Sequence, residues 1–242
     1  MTRLYLVRHG QAGTRDNYDA LSELGREQSR RLGEYFVAQG IMFSAAISGA
    51  NSRQQQTAAE VRGVYSHAGL KFPTVVADEG WNEFDLDKIY RELSPLLCAD
   101  DPQFQREFEE MREQVRASRG IHAAEIHRRW TPCDLKVMEA WIRGRYPYSG
   151  ESWDAFRERI VGRRAAIQGG APSANIVVFT SATPTAIWAG MALDLKVDYI
   201  MGLAGVLQNA SFSTLRLSGE DLRLFSFNEV PHLLTPQLRS HR

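Results

Sequence analysis

Leu4-Tyr5-Leu6-Val7-Arg8-His9-Gly10 is the stretch that decides how this chain folds. Its apolar run is too short for a helix and delivers an Arg-His pair straight into a glycine. That pattern predicts a buried parallel strand ending in a tight turn. In open α/β sheets ligands collect outside the carboxyl ends of the strands, and a glycine there lets a ligand come close to the main chain. Arg8 offers a planar fork for an oxyanion, and His9 offers a nucleophilic or basic imidazole. Chemistry is therefore expected where this strand ends.

Outward from that strand, Ser22 is placed to cap a helix running to about Ala38, with Leu24, Leu32, Tyr35 and Phe36 at helical spacing. Gly40 ends it, Phe43 to Ser48 reads as a second strand, and a helix follows from about Arg53 to Ala68. Thr74 to Ala77 is a third strand, opening into the loop Asp78-Glu79-Gly80-Trp81-Asn82-Glu83-Phe84. From Asp85 to Pro147 the composition turns charged and aromatic, and Phe104, Phe108, Met111 and Val115 form one helical stripe. This predicts a helical insertion whose stripe is packing. Gly150-Glu151-Ser152 opens a helix through Phe156, Ile160 and Ile167 that ends near Gly169-Gly170. Asn175 to Phe179 is a strongly apolar strand that empties into Thr180-Ser181-Ala182-Thr183-Pro184, and Thr185 to Leu193 reads as a helix. Phe212 to Leu217 and Leu222 to Asn228 alternate as strands around the hairpin signal Ser218-Gly219-Glu220-Asp221, and the tail after Pro236 is expected to be disordered.

Strands alternating with helices predict an α/β fold, a three-layer α/β/α sandwich on a mostly parallel central sheet. The expectation is a single domain over residues 1–242, with residues 85–147 as a helical cap insertion within it. Right-handed crossovers then gather the loops after Val7, Ile47, Val76 and Phe179 at one edge.

Composition bounds the partners. Lys plus Arg and Asp plus Glu are equal at 29 each, so no overall basic field marks a nucleic-acid binder, and any anion site must be local. Lysine occurs only at Lys71, Lys88, Lys136 and Lys196; the predominance of arginine suits bidentate recognition of phosphate or carboxylate. Cys98 and Cys133 belong to no metal-spaced cluster, and no His/Cys/Asp spacing points to a metal or other cofactor. With no apolar run near the length of a membrane span and no leader before the first strand, the expectation is a cytoplasmic protein that engages neither membrane nor nucleic acid.

Three segments in order, Arg8-His9-Gly10, Leu21-Ser22-Glu23-Leu24-Gly25-Arg26-Glu27-Gln28, and Ser48 to Thr57 with Arg53 beside Gln56-Thr57-Ala58, resemble the histidine phosphatase superfamily, the phosphoglycerate-mutase-like proteins. The resemblance spans most of the chain. It implies that His9 attacks phosphorus as a neutral imidazole and becomes a phosphohistidine, while Arg8 and Arg53 hold the phosphoryl oxygens. It also implies that Glu83 protonates the departing oxygen, with Glu79 and Asp85 as rivals for that role. Gly49-Ala50-Asn51 departs from the family pattern, where a proline and an apolar residue are common. A larger departure follows Phe179: Ser181-Ala182 stands where relatives usually carry His-Gly. Ser181, beside Thr180 and Thr183, still offers hydroxyl donors, but losing a charged donor removes on the order of 10²-fold of rate or more.

His232, in Asn228-Glu229-Val230-Pro231-His232-Leu233, is read as packing, and Asn209-Ala210-Ser211 as structural. Arg112, Arg116, Arg119, His122, His127, Arg128 and Arg129 concentrate positive charge in the insertion; they are read as surface charge, or as a grip on the non-phosphate part of a substrate if the insertion caps the cleft. Two functions follow. One is a metal-independent phosphomonoester hydrolase acting on a small phosphorylated substrate, with a phosphomutase as a lesser variant. The other is a non-catalytic protein that binds phosphate or a phosphorylated ligand.

Overall fold

In the computed structural model, which describes residues 1–13, 19–117, 131–168 and 174–241, the decisive run is strand β1 (Thr2–Arg8). With β2 (Ala45–Ser48), β3 (Val75–Ala77), β4 (Asn175–Thr180), β5 (Phe212–Ser218) and β6 (Asp221–Glu229) it forms a six-stranded sheet in the order β3-β2-β4-β1-β5-β6. The β3-β2, β2-β4 and β4-β1 pairs are parallel, and the β1-β5 and β5-β6 pairs antiparallel. Register aligns Arg8 with Thr180, and Ser48 with both Phe179 and Ala77. Four parallel strands thus end level with one another, and the loops that follow open at the same edge.

Side-chain alternation sends Tyr5 and Val7 of β1, Val177 and Phe179 of β4, and Phe212 of β5 to one face. Helices α1 (Glu23–Ala38) and α2 (Ser52–His67), packed on each other, cover that face with Leu32, Phe36, Ala58, Val61 and Tyr65. Ser22 caps α1 as its sequence predicts, its side chain accepting from the Gly25 N–H.

Contacts divide the described residues into two compact units: Met1–Glu83 with Ile160–Arg242, and Phe84–Arg159. The second unit contains α3 (Leu86–Asp100), α4 (Pro102–Ala117) and α5 (Pro132–Ile142), with α3 contacting both others. Phe104 is fully buried and stacks on Phe108 at 5.5 Å, so this part of the expected stripe is packing. Arg112 lies over the Phe108 ring, whereas the side chains of Val115, Arg116, Arg119, His122, His127, Arg128 and Arg129 fall outside the described residues.

The helix expected from Ser152 to Gly169 is two helices, α6 (Trp153–Val161) and α7 (Arg164–Gln168), separated at Gly162-Arg163 where the Arg163 N–H bonds the Ile160 carbonyl in a tighter turn. Helix α8 (Ala182–Leu193) begins earlier than expected. Pro184 does not delay it, because a first-turn N–H has no partner within the helix. α8 packs against β1, β5 and β6 and puts a second helical layer on the sheet, under which Leu4, Leu6, Val178 and Trp188 are fully buried. A further helix, α9 (Val197–Val206), was not foreseen; Gly202 and Gly205 break its periodic signal. The expectation of a disordered tail is also corrected. Ser240 exchanges hydrogen bonds with Asn209, and Gln28 donates to the Leu238 carbonyl and the Ser240 hydroxyl, so a polar network ties the tail down.

One close approach sets the path out of β1. A Cβ on Gly25 would lie 2.1 Å from the Gln11 carbonyl oxygen, and one on Gly10 would lie 2.3 Å from the Gly25 carbonyl oxygen. Backbone meets backbone there, so only glycine fits. Gly25→Ala should lower stability by about 1–3 kcal/mol, read as a lowered urea midpoint at unchanged slope.

Candidate active site

His9 leaves β1 with its backbone fully engaged: its N–H donates to the Thr180 carbonyl at 2.9 Å, and its carbonyl accepts from Ala210 N–H at 3.1 Å. The following Gly10 N–H donates to Thr57 Oγ1 at 3.0 Å, and Thr57 in turn donates to the Arg53 carbonyl at 2.8 Å. Gln56 accepts from the Leu21 N–H at 2.8 Å, and Ala58 is buried in the core. Thr57 therefore fastens α2 to the turn after β1, Gln56 fastens it to the segment before α1, and Ala58 packs in the core.

His9 is 3 % exposed, and its ring Nδ1 lies 2.7 Å from the Gly10 carbonyl oxygen. A carbonyl can only accept, so Nδ1 carries the proton and Nε2 carries the lone pair. Arg53 Nε donates to that Nε2 at 3.2 Å. Burial, then the charges of Arg53 and Arg8, hold the imidazole well below its ordinary value, against a smaller opposing effect of the Gly10 carbonyl. The ring is neutral at physiological pH, with a nucleophilic nitrogen facing a guanidinium.

Arg8 and Arg53 are both buried, and the charges of both act on the His9 ring. Arg8, at the end of β1, donates Nη1 to the Leu207 carbonyl. Arg53, in the first turn of α2, reaches from His9 to Asp19, whose Oδ1 accepts from its Nη1 at 3.1 Å.

Ser181 sits at the junction of β4 and α8, 1 % exposed, and its Oγ accepts from Gln54 Nε2 at 2.8 Å. Glu83 Oε2 accepts from the Thr183 N–H in the first turn of α8 at 3.1 Å. Glu79, by contrast, is exposed in the 3-10 turn Glu79–Trp81, and Asp85 caps α3 by accepting from the Lys88 N–H. The loops after β2 and β3 are joined by the Ala50 N–H, which donates to Asn82 Oδ1 at 2.7 Å.

His9 and Arg53 are thus in direct contact, and Ser181 connects to the same helix through Gln54, one residue beyond Arg53. Glu83 meets Ser181's helix two residues beyond Ser181. Asp19, Gln54 and Asn82 are partners that sequence reading did not assign. Gln54 could have been found by its place next to Arg53; Asp19 carries no local signal, because its partner lies in another loop. His232 lies elsewhere, its ring 6.3 Å from Tyr35 and 6.5 Å from Phe212, and burial lowers its imidazole to about 4. Among the described residues no group of three or more His, Cys, Asp or Glu could hold a metal ion, and no helix is long and apolar enough to cross a membrane.

A sequence model of the histidine phosphatase superfamily (branch 1) matches residues 4–140. No curated protein matches the chain. Among solved structures, YhfR of Bacillus stearothermophilus aligns at 18 % identity with a TM-score of 0.65, covering 96 % of this chain and 99 % of that one. The phosphoserine phosphatase of Entamoeba histolytica, in complex with 3-phosphoglyceric acid, aligns at 17 % identity and TM-score 0.60, covering 97 % and 100 %. The phosphoglycerate mutase of Bacillus anthracis aligns at 17 % identity and TM-score 0.55, covering 96 % and 94 %. At these identities the likeness is one of fold.

The contact between Arg53 and His9 has a direct consequence in solution. In histidine-labelled protein the His9 ring should show the Nδ1–H neutral form at pH 6.5 and take up its proton only at lower pH. Arg53→Ala should move that midpoint upward, because a cation facing the ring is removed; two-dimensional NMR of the ring nitrogens against pH reads both.

Proposed function

The chain belongs to the histidine phosphatase superfamily, and from that premise we propose that it hydrolyses phosphomonoesters through a phosphohistidine at His9. The observation that supports this best is the buried neutral imidazole whose lone-pair nitrogen faces the Arg53 guanidinium.

In this reading the phosphoryl group of a small phosphorylated substrate enters beside His9. Arg53 exchanges its contact with Nε2 for the phosphoryl oxygens, and Arg8 supplies a second guanidinium. Nε2 forms a bond to phosphorus as the bond to the leaving oxygen breaks, and Glu83 gives its proton to that oxygen. The Gly10 carbonyl stabilises the cationic ring through Nδ1–H. Water then attacks the phosphohistidine while the Glu83 carboxylate takes a proton from it, the N–P bond breaks, and phosphate leaves with His9 neutral again. In this reading the participating groups are side chains, the Gly10 carbonyl and water. Ser181 takes the place of the family's usual second histidine, and a hydroxyl there gives weaker help to the phosphoryl oxygens than a charged ring.

The Gln54 amide on Ser181 Oγ favours a second reading, in which the hydroxyl is held for structure and the protein binds a phosphoryl ligand without turnover. A panel of phosphomonoesters, including phosphoserine and 3-phosphoglycerate, separates the two. Turnover that persists in a chelator, falls by at least ~10³-fold in His9→Ala and drops about 10²–10⁴-fold in Glu83→Gln supports the hydrolase. Acid-quenched protein should then carry one phosphoryl group on His9 by mass spectrometry, and Ser181→His should raise the rate. Equal rates in wild type and His9→Ala would overturn the hydrolase, and phosphate binding that depends on Arg8 and Arg53 without turnover would support the binder.

A further inference from the structure

Asp19 lies outside every motif that marks this chain, yet its carboxylate joins two elements of the site. Oδ2 accepts from the Ser52 N–H at 3.2 Å, and Oδ1 accepts from Arg53 Nη1 at 3.1 Å. Asn51, at the head of α2, makes no side-chain capping bond, so the carboxylate of Asp19 serves that helix end from another loop. The helix end attracts an anion, and the buried Arg53 attracts the same one. Two nitrogens of the planar guanidinium are engaged: Nε donates to His9 Nε2, and Nη1 donates to Asp19 Oδ1.

We propose that Asp19 is a positioning residue for the phosphoryl site, its carboxylate bridging the head of α2 to Arg53 and so fixing the plane in which the guanidinium meets His9. The inference deepens the reading of His9 as the nucleophile and rests on it. A long arginine side chain loses rotamer freedom when a phosphoryl group organises it on binding. The Asp19 carboxylate adds a hold on Nη1 that persists when the contact to His9 is exchanged for the phosphoryl oxygens, so part of that ordering precedes the substrate.

A competing effect runs the other way, since a carboxylate beside the site repels a phosphate dianion. The Asp19 side chain is 60 % exposed against 9 % for Arg53, so solvent screens its repulsion more than it screens the arginine's attraction for a buried anion. In this proposal orientation outweighs repulsion, and the phosphate affinity of Asp19→Ala reads which of the two dominates. Charges facing His9 come from Arg53 and Arg8, so a loosened Arg53 also changes the proton affinity of the ring.

The test uses the full chain and inorganic phosphate as the probe. Asp19→Ala should weaken phosphate binding by about tenfold, raise KM, lower kcat, and move the His9 ring titration upward in pH. Asp19→Asn keeps the acceptor geometry with less charge and should fall between Asp19→Ala and wild type; Asp19→Glu should restore part of the loss. Urea unfolding of each variant confirms a folded state, with Asp19→Asn as the measure if the alanine variant does not fold. Phosphate bound as tightly as in wild type, or more tightly, with His9 titrating unchanged, would overturn the positioning role while a His9→Ala loss of turnover left the hydrolase standing. Conversely, a shifted His9 titration and weakened phosphate binding in a protein without turnover would support Asp19's role and overturn only the hydrolase.

Discussion

The hydrogen bond between His9 Nδ1 and the Gly10 carbonyl oxygen is the constraint on which the site depends. It decides which ring nitrogen holds the proton, and therefore which can attack. For it to form, the backbone after β1 must turn sharply, and that turn is held by bonds from four separate places: Thr180 on the neighbouring strand, Ala210 before β5, Thr57 on α2 and Gln28 on α1. Glycine-to-glycine contact with the head of α1 leaves the turn no other path. The imidazole is thus oriented by the packing of the sheet and two helices, its Nδ1 held by a backbone carbonyl.

Burying this ring beside two guanidinium groups would be unfavourable if it were charged, and the molecule avoids that by keeping it neutral. The same burial that depresses the proton affinity of the ring makes Nε2 available as a lone pair. Around it the polar side chains form a connected chain from Asp19 through Arg53 to His9, and from Gln54 through Ser181 to the first turn of α8, where Glu83 is bound. Because Arg53 and Gln54 are consecutive residues of α2, a small rotation of that helix would move both branches together.

Much of the fold is legible in the residues because its signals are local. The apolar runs of β1 and β4, the Ser22 cap and the hairpin at Gly219 each depend on neighbours in sequence, and each element is where its pattern puts it. Expectations failed where tertiary contacts override local ones. Pro184 reads as loop yet sits inside the first turn of α8, where a missing N–H does no harm; the polar tail reads as disordered yet is held by Asn209 and Gln28. The apolar segment at Val197–Val206 is a helix whose two glycines hide its period.

For the site, the sequence by itself determined the chemical types: an imidazole between an arginine and a glycine at a strand end, a second arginine opening a helix, an acid after a third strand, a serine after a fourth. Those follow from residue identity and from strand order, which gathers the loops of parallel strands at one edge. Tertiary structure alone decided which atoms meet: that Arg53 turns its Nε to His9, that Gln54 holds Ser181, that Glu83 accepts from the first turn of α8, and that Asp19 joins the group. The physical reason is range. A strand or a cap is settled by neighbours within a few residues, whereas a hydrogen bond across 34 residues, as between Asp19 and Arg53, exists only once the sheet and helices have set the distance.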